Sequence, residues 1–295
     1  MNSRLMNSRV MKLYLRVNQA LWKRLPPALH RTRPLRWYGT ILHELVRRRA
    51  KRQQYFGTFF LRNRAELEQI RRLTAVLPQD SELRLAILGC SIGAEVYSVL
   101  WAVRTARSDL RVHTSAVDIS AQVLAIAQKA VYSSEHSGMV GSSIFERLRD
   151  AERDAIFDWQ EDVGTVKPWI REGIGWHLGD ANDPSLVRTL GAQDNVLASN
   201  FLCHMDPTEA ERCLRNIARL VKPGGHIIVL GVDLDVREKV AHHLGWHPLP
   251  ELIREIHDGD PVLRHSWPWE WWGLEPLNDR RPDWQLRYAA AYRVD

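Results

Sequence analysis

The chain has 295 residues, of which 45% are hydrophobic and 26% are charged. Such a composition excludes a disordered or fibrous protein, and the length allows one large globular domain with a smaller appendage. No apolar run approaches the roughly eighteen residues that a membrane span needs, and the N-terminus lacks an apolar signal core. We therefore expect a cytoplasmic protein without a membrane span.

Positive charge is concentrated at the N-terminal end. Residues 1–64 hold sixteen Lys or Arg and one acid, Glu44, which leaves a net charge of −9 on the rest of the chain. Such an excess can bind an anionic partner, whether a nucleic acid, a membrane surface or an acidic protein segment, and a solvated helical face is the alternative. We predict a basic helical region over residues 1–75 and an α/β domain over residues 76–295.

Helices are predicted first along the chain, and strands begin to alternate with them at residue 83. Apolar residues at helical spacing predict helices over 35–56 and 64–77. The alternating segments are strands at 83–89, 111–118, 173–180, 194–200, 226–232 and 284–294, and helices at 94–107, 120–132, 143–157, 207–221 and 235–245. Because parallel neighbours need crossover helices, this order predicts a doubly wound, Rossmann-like sheet.

Three local signals accompany these segments. Ser120 is the expected N-cap of one helix, and Asp235 with Glu238 is the expected capping box of another. The cysteines Cys90, Cys203 and Cys213 have no CxxC spacing and no clustered histidines, so buried, reduced thiols are expected, with neither disulfides nor a metal site.

The first strand ends in a turn of small residues, within the sequence LAILGCSIGAEVYS over residues 85–98. Gly89 and Gly93 place backbone without Cβ atoms at the mouth of a helix, where a ligand can approach. The turn lacks both the GxGxxG spacing of dinucleotide folds and the GK[ST] ending of a phosphate-binding loop. It predicts a ligand site and does not identify the ligand.

Two acids that follow neighbouring strands indicate which class of ligand this site binds. Asp118 follows the second strand, where a carboxylate can accept both hydroxyls of a ribose; capping of the next helix is the alternative. Asp180 follows the third strand and can accept from an adenine amine. These loops converge beyond the carboxyl ends of the strands. A nucleoside pocket without a phosphate-binding device favours S-adenosylmethionine (SAM) over NAD or ATP.

Five motifs in order resemble the chemotaxis-receptor methyltransferases, the CheR type, over about residues 55–235. They are TFFLRN at 58–63, GCSIGAEVYS at 89–98, AVDIS with AQKAVY over 116–132, SNFLCHMD at 199–206 and LVKPGGHIIVLG at 220–231. The resemblance implies a class I methyltransferase sheet that binds SAM and releases S-adenosylhomocysteine (SAH). It also implies that the basic helices lie over the cofactor and face an acidic protein acceptor.

The resemblance also implies the site residues. Thr58 and Arg62 are expected near the methionine end of SAM, Glu95 at its ammonium, and Asn200 on the floor of the site. The full set of implied cofactor residues is Thr58, Arg62, Gly89, Cys90, Ser91, Gly93, Glu95, Asp118, Ile119, Asp180, Ala181, Asn200 and Phe201. The candidate catalytic residues are His204, Arg62 and Asn200.

The chain departs from the family pattern at several of these motifs. Ala94 stands at the first of two family glutamates, and Asp180 replaces an asparagine of the adenine loop. Ser199 and His204 replace an arginine and a tyrosine on the loop expected to face the transferred methyl. A C-terminal segment, residues 267–284, holds five of the twelve tryptophans and forms either an acceptor wall or a satellite core.

We predict a SAM-dependent methyltransferase of CheR type that acts on a small-molecule or peptide acceptor. The alternatives are a protein-glutamate O-methyltransferase acting on a chemoreceptor-like partner and a catalytically inactive SAM- or SAH-binding regulator. Nucleic acid methylation is not favoured, because SNFL stands where an Asn-Pro-Pro-Tyr-type loop is needed. His204 is either a general base, for a hydroxyl or amine acceptor, or a packing residue beside Met205.

Overall fold

The computed structural model describes residues 9–30, 32–136 and 142–295. The first eight residues of the predicted basic region lie outside them. The strands are β1 (Glu82–Leu88), β2 (Arg111–Asp118), β3 (Val131–Ser133), β4 (Phe157–Gln160), β5 (Val163–Val166), β6 (Ile174–Leu178), β7 (Gln193–Ser199), β8 (Val221–Leu230), β9 (His247–Pro248) and β10 (Ala291–Arg293).

Helices precede the first strand and separate most of the later ones. They are α1 (Arg9–Arg24), α2 (Pro27–His30), α3 (Arg33–Arg49), α4 (Arg64–Ala75), α5 (Ala94–Ala106), α6 (Ala121–Lys129), α7 (Asp150–Ile156), α8 (Pro168–Arg171), α9 (Leu186–Leu190), α10 (Pro207–Ala218), α11 (Leu234–His243), α12 (Ile253–Asp258), α13 (Pro261–Ser266) and α14 (Trp284–Tyr288). A 3₁₀ turn, Leu202–His204, follows β7.

Seven strands form the central sheet in the order β6-β2-β1-β7-β8-β10-β9. The first five of these are parallel, and β10 is antiparallel to both of its neighbours. The strand order reverses at β1, between β2 and β7, and a crevice opens at such a switch point beyond the carboxyl ends of the strands. The predicted doubly wound, Rossmann-like sheet is therefore confirmed.

The core lies on both faces of this sheet, as the alternation along β1 shows. Leu83, Leu85 and Ile87 pack in the cluster that contains residues of α4 and α5. Ala86 and Leu88 point the other way, into the cluster of α10 and α11. Successive strand side chains face opposite ways, so β1 is buried on both sides and its loop is held rigidly. The three cysteines are free and buried, as predicted.

Tertiary contacts override several sequence predictions. The helix predicted over 35–56 ends at Arg49, and residues 51–56 lie outside any helix or strand; within them, Arg52 donates to the carbonyls of Cys203 and Met205. Only Asp150–Ile156 of the helix predicted over 143–157 is helical. The KPGG sequence lies inside β8, beside a register shift, and the predicted last strand is divided between α14 and β10.

Neither predicted cap forms as expected. Ser120 occupies the N-cap position of α6 without a side-chain capping bond, and its N–H donates to Asp118. Asp235 and Glu238 accept from the Arg287 guanidinium, and no capping box forms on α11. A charge-assisted hydrogen bond from a buried arginine is stronger than the bonds that these carboxylates would accept at the helix end.

A second, antiparallel sheet in the order β3-β5-β4 was not predicted. Its strands have only three or four residues, too few for a periodic pattern to be recognised. It follows α6 and lies in the chain between β2 and β6.

The basic helices α1 and α3 pack on the C-terminal segment. Trp267 is buried with Trp22 and Leu42, and Gly39 passes so close to the Trp267 ring that a Cβ would overlap it. A stripe of exposed apolar residues remains on α1, at Val10, Leu13, Tyr14, Val17 and Leu21. The division of the chain after residue 75 stays a prediction. Within the described ranges, no helix is both long and apolar enough to cross a bilayer.

Candidate functional site

A cavity of about 600 Å³ opens beyond the carboxyl ends of β1, β2, β6 and β7. Of the sequence-predicted site residues, those that line it are Thr58, Arg62, Gly89, Cys90, Ser91, Glu95, Asp118, Ile119, Asp180, Ala181, Asn200, Phe201 and His204. Residues separated by as many as 146 positions in the chain therefore meet at one place, as the switch-point argument predicts.

Gly93 is the exception among the predicted residues. Its φ of +91° suits glycine, and it begins α5. A Cβ there would approach Ala127, the Tyr132 hydroxyl and Tyr97 at 3.0 to 3.1 Å, so Gly93 makes room for protein side chains. Gly93 does not line the cavity, and its contact with the cofactor stays a prediction. Gly89 does line the cavity, at φ +66°, and a Cβ there would lie 2.6 Å from the Phe201 ring.

Asp118 is fixed by two backbone donors. The Ser91 N–H donates to Oδ2 at 2.8 Å and the Ser120 N–H to Oδ1 at 3.0 Å. Burial raises the pKa of this carboxyl, and the N–H donors oppose the rise. Each carboxylate oxygen has a second lone pair, so the group can still accept from a ligand. Ligand binding and local support of the chain are therefore compatible at Asp118.

The loop after β6 supplies the polar part of another wall. Asp180 is exposed and accepts from the Asn182 N–H at 2.8 Å, while the Ala181 carbonyl accepts from Asn216 at 2.8 Å. Ile119 lines the same cavity with 54% of its surface exposed. An apolar side chain beside a carboxylate and backbone amides can receive the face and the polar edge of a planar ring.

The segment before α4 also lines the cavity, and its residues 53–57, which precede the TFFLRN motif, were not singled out from the sequence. Residues 53–59 contribute to its wall. Arg52 holds this segment down, donating to Asp233 at 2.8 Å as well as to the carbonyls of Cys203 and Met205. Nothing local in the sequence pairs Arg52 with a residue 181 positions away.

Arg62 is oriented by a buried carboxylate. Its Nε donates to Asp260 at 2.7 Å, and Arg147 donates to the other oxygen of Asp260 at 2.9 Å. Burial opposes ionisation of Asp260, but the two guanidinium groups outweigh it and lower the pKa of this carboxyl. Arg147 also stacks on Phe59, with its guanidinium 4.5 Å from the ring centroid. Arg62 therefore reaches the cavity in a fixed position.

Two neighbouring acids, Glu66 and Glu95, line the same cavity. Glu66, from α4, is 6% exposed and accepts from the Ser199 hydroxyl at 2.9 Å; Glu95, from α5, is partly buried and its Oε1 has no hydrogen-bond partner. Burial, with the Glu95 charge, raises the pKa of Glu66 to about 8, and burial raises the pKa of Glu95 to about 7. Glu66 was missed, although it shares the buried face of α4 with Leu67, Ile70 and Thr74.

The loop after β7 carries the remaining candidates. Asn200 has a φ of +64°, and its backbone is closely approached by Gly231. His204 hydrogen-bonds the backbone of Gln53, and burial lowers the pKa of its imidazole. The residue lines the cavity, and its Nδ1 is buried without a hydrogen-bond partner. Ser199, expected on the acceptor side, instead bonds Glu66.

The tryptophan segment divides between the cavity and the satellite core, and its contact with an acceptor stays a prediction. Trp271 and Trp272 line the cavity, with ring centroids 4.3 Å apart and planes at 77°. Trp267 and Trp269 pack edge-on against Trp22 in the satellite core. Aromatic wall and satellite core are thus both present, in different residues.

Comparisons with known proteins agree with this geometry. The family model for the CheR methyltransferase SAM-binding domain matches residues 57–243. The chain is 28% identical over 182 residues to the probable biofilm formation methyltransferase WspC of Pseudomonas putida, an alignment that covers 60% of this chain and 40% of that protein. The chain is also 34% identical over 100 residues to the inactive peptidyl-prolyl cis-trans isomerase FKBP6 of Mus musculus. That alignment covers 34% of this chain and 26% of that protein.

Among solved structures, the magnesium protoporphyrin IX methyltransferase of Synechocystis PCC 6803 with bound SAM is 15% identical to the chain. The match covers 72% of this chain and 87% of that one, with a TM-score of 0.35. The chain spans less than half the length of the curated relatives that it matches.

The Asp260 site yields a stability prediction. Replacing Asp260→Asn leaves Arg62 and Arg147 without a counter-charge in a buried setting, so we expect the free energy of unfolding to fall by about 3 kcal/mol. Urea unfolding at pH 7 measures this loss. The matched control is Asp279→Asn, which removes an exposed partner of Arg254 and is expected to leave the midpoint unchanged.

The same variant has a defined pH dependence. The folded-state pKa of Asp260 is lowered below its unfolded value of about 4, so its contribution is present above that pH and is lost as the pH falls through the folded-state pKa. We expect the stabilities of wild type and Asp260→Asn to converge in acid. A difference that stays constant down to pH 2 would contradict the ion-pair explanation.

Proposed function

The chain belongs to the CheR methyltransferase family, and on that premise we propose that it transfers the SAM methyl group to a small-molecule or peptide acceptor. It is a SAM-dependent methyltransferase of CheR type, and the acceptor is the part proposed here. The observation that carries the acceptor proposal is the pair of tryptophans, Trp271 and Trp272, on the wall that also holds Arg62 and His204.

The cavity residues fit the cofactor. We assign Asp118 to the ribose hydroxyls, Asp180 to the adenine amine, and Thr58 with Arg62 to the methionine end. The unpartnered Oε1 of Glu95 supports this assignment, because a buried carboxylate oxygen calls for a cation and SAM carries an α-ammonium. Gly89 and Phe201 line the same cavity, and the Phe201 ring fills the space that a Cβ on Gly89 would take. When bound, SAM supplies an electrophilic methyl group on a sulfonium. The leaving group is a neutral thioether, which needs no acid.

The chain's residues then have to align an acceptor and, for some acceptors, remove a proton. Alignment of two reactants can lower a barrier by roughly 7 to 11 kcal/mol. We propose that Trp271 and Trp272 provide it by stacking on the acceptor. The lowered pKa of His204 favours a neutral imidazole at pH 7, and we propose Nδ1, which is buried and has no partner within the protein, as the atom that accepts a proton from a hydroxyl or ammonium acceptor. A carboxylate acceptor needs no base.

A second candidate is methylation of a protein glutamate on a chemoreceptor-like partner. It is favoured by the apolar stripe on α1, which is flanked by the exposed basic residues Arg9, Lys12 and Arg16. Such a face suits an acidic amphipathic protein segment. The inactive regulator remains the third hypothesis, and it requires that SAM binds and no methyl is transferred.

The first prediction concerns cofactor binding. Asp118→Ala removes the proposed ribose acceptor, and we expect SAH binding, measured by calorimetry, to fall below detection. Asp158→Ala, an exposed acid on β4 away from the cavity, is the control and should bind as wild type does. Because Asp118 also accepts two backbone N–H groups, near-ultraviolet circular dichroism must first show that the variant is folded. A folded variant with unchanged affinity would refute the pocket assignment.

The second prediction concerns the transfer itself. Wild-type protein with tritiated SAM should label the small-molecule or peptide fraction of a bacterial extract, and His204→Phe should lower that rate about 100-fold if the acceptor needs a base. A methyl ester of a carboxylate, unlike an N-methyl group, releases volatile methanol in mild alkali. Base-labile label that His204→Phe leaves intact supports the glutamate alternative. SAH binding without any transfer supports the regulator.

The third prediction concerns the basic helix. Lys12→Glu with Arg16→Glu should weaken binding of a synthetic, glutamate-rich helical peptide at least tenfold in 50 mM salt, and raising the salt should weaken the wild-type complex. The charge-matched control, Arg111→Glu with Lys129→Glu, changes exposed residues outside α1. Fluorescence anisotropy of the labelled peptide measures both. Equal weakening by the two double variants would show that net charge, and not α1, binds the peptide.

A further inference from the structure

The methionine end of the cavity contains an acid that the family motif does not predict. In the resemblance, two consecutive glutamates follow the glycine turn, but this chain has Ala94 and Glu95. Ala94 is completely buried, packs in the core and is absent from the cavity wall. A longer side chain at position 94 would have to displace the core. The second acid comes instead from Glu66, on a different helix.

Local structure brings Glu66 to this place. Asn63 caps α4 and accepts from the Glu66 N–H, and the Asn63 amide donates to the Ile256 carbonyl at 2.9 Å. Asn63 therefore fixes the first turn of α4 and links it to the Ile256 carbonyl. Glu66 follows Arg62 by four residues and lines the same cavity as Glu95. Its Oε1 accepts from Ser199, which replaces the arginine of the family pattern.

The charges around Glu66 are not balanced within the protein. Glu95 and Asp260 disfavour its ionised form, while the Ser199 hydroxyl and Arg62 favour it. Arg62 is already paired with Asp260. Two neighbouring carboxyl groups in a poorly hydrated cavity cannot both be ionised at low cost without a cation. The pKa values of Glu66 and Glu95 are both raised, as expected for acids that lack a cation of their own.

We propose that Glu66 is a cofactor-binding residue, which with Glu95 holds the α-ammonium of SAM and so fills the role that Ala94 vacates. The inference rests on the family cofactor, SAM, and on the proposed position of its methionine end. On this proposal, Glu66 and Ser199 depart from the family pattern together, at the end of the site that binds the methionine part of SAM. Ser199 supplies a neutral donor to the new acid.

The proposal has a consequence for protons. Burial raises the pKa of both acids, so the free pair is partly protonated near pH 7, and an ammonium bound between the carboxylates favours release of a proton to solvent. Raising the pH from 6 to 7.5 increases the ionised fraction of the pair, so affinity for an ammonium-bearing ligand should increase. The range stays below about pH 8, where α-amino groups begin to lose their own charge.

The test uses two ligands that differ at the ammonium. SAH keeps the aminobutyrate part of SAM, whereas 5′-methylthioadenosine has the same adenosine thioether without it. Glu66→Gln keeps the shape of the side chain and an acceptor for Ser199. The control is Glu68→Gln, the same change on an exposed residue of α4 that pairs with Arg71 and Arg72. Calorimetry at pH 6.0 and 7.5 gives the four affinities of each protein.

For wild type we expect SAH to bind about tenfold more tightly at pH 7.5 than at pH 6.0, with methylthioadenosine unchanged within twofold. Glu66→Gln should weaken SAH at least tenfold at pH 7.5, flatten its pH dependence and leave methylthioadenosine within twofold of wild type. Methylthioadenosine also reports that the variant's pocket is folded. Glu68→Gln should bind both ligands as wild type does.

Each other outcome overturns the inference in a distinguishable way. Normal SAH affinity in Glu66→Gln would mean that Glu66 does not bind the ammonium, and the family cofactor would stand. Equal weakening of both ligands would assign Glu66 a structural role. Failure of the wild-type protein to bind either ligand would instead count against the proposed pocket.

Discussion

The part of the cavity around Arg62 depends on one buried carboxylate, Asp260, that holds two arginines from different parts of the chain. Arg62 comes from the segment before α4, and Arg147 comes from the loop before α7. Asp260 itself lies directly before α13 and caps that helix by accepting from the Val262 N–H. Three segments that are remote in sequence are thereby held around one cavity. Without Asp260, two guanidinium groups would remain in a poorly hydrated interior.

The acids of the site divide into two kinds, and their surroundings explain the division. Asp260 is matched by two cations and has a lowered pKa, so its charge is used inside the protein. Glu66 and Glu95 lack such a match and have raised pKa values. A paired buried acid supports structure, whereas an unmatched acid at a cavity wall is available to a ligand. The same protein interior thus separates supporting carboxylates from candidate binding ones.

The sequence predicts the local parts of this arrangement well and the long-range parts poorly. β2 occupies the predicted residues 111–118, and β1 and α5 lie within a residue of their predicted ends. The cofactor candidates meet because parallel strands place their carboxyl ends along one edge. Glu66, Arg52 and Asp260 could not be assigned, because their roles depend on partners that only tertiary folding brings close. Asp235 and Glu238 failed as a capping box for the same reason, since Arg287 competes for them.

The departures from the family pattern therefore do not all concern the acceptor. Ser199 stands at a motif expected to face the methyl group, yet its hydroxyl bonds Glu66. Ala94 packs in the core. Ser199 therefore acts with Glu66, and Ala94 belongs to the core and not to the cavity wall. The differences that still bear on the acceptor are His204, with its free nitrogen, and the paired rings of Trp271 and Trp272. The chemistry of the acceptor has to be sought in what those three side chains can contact together.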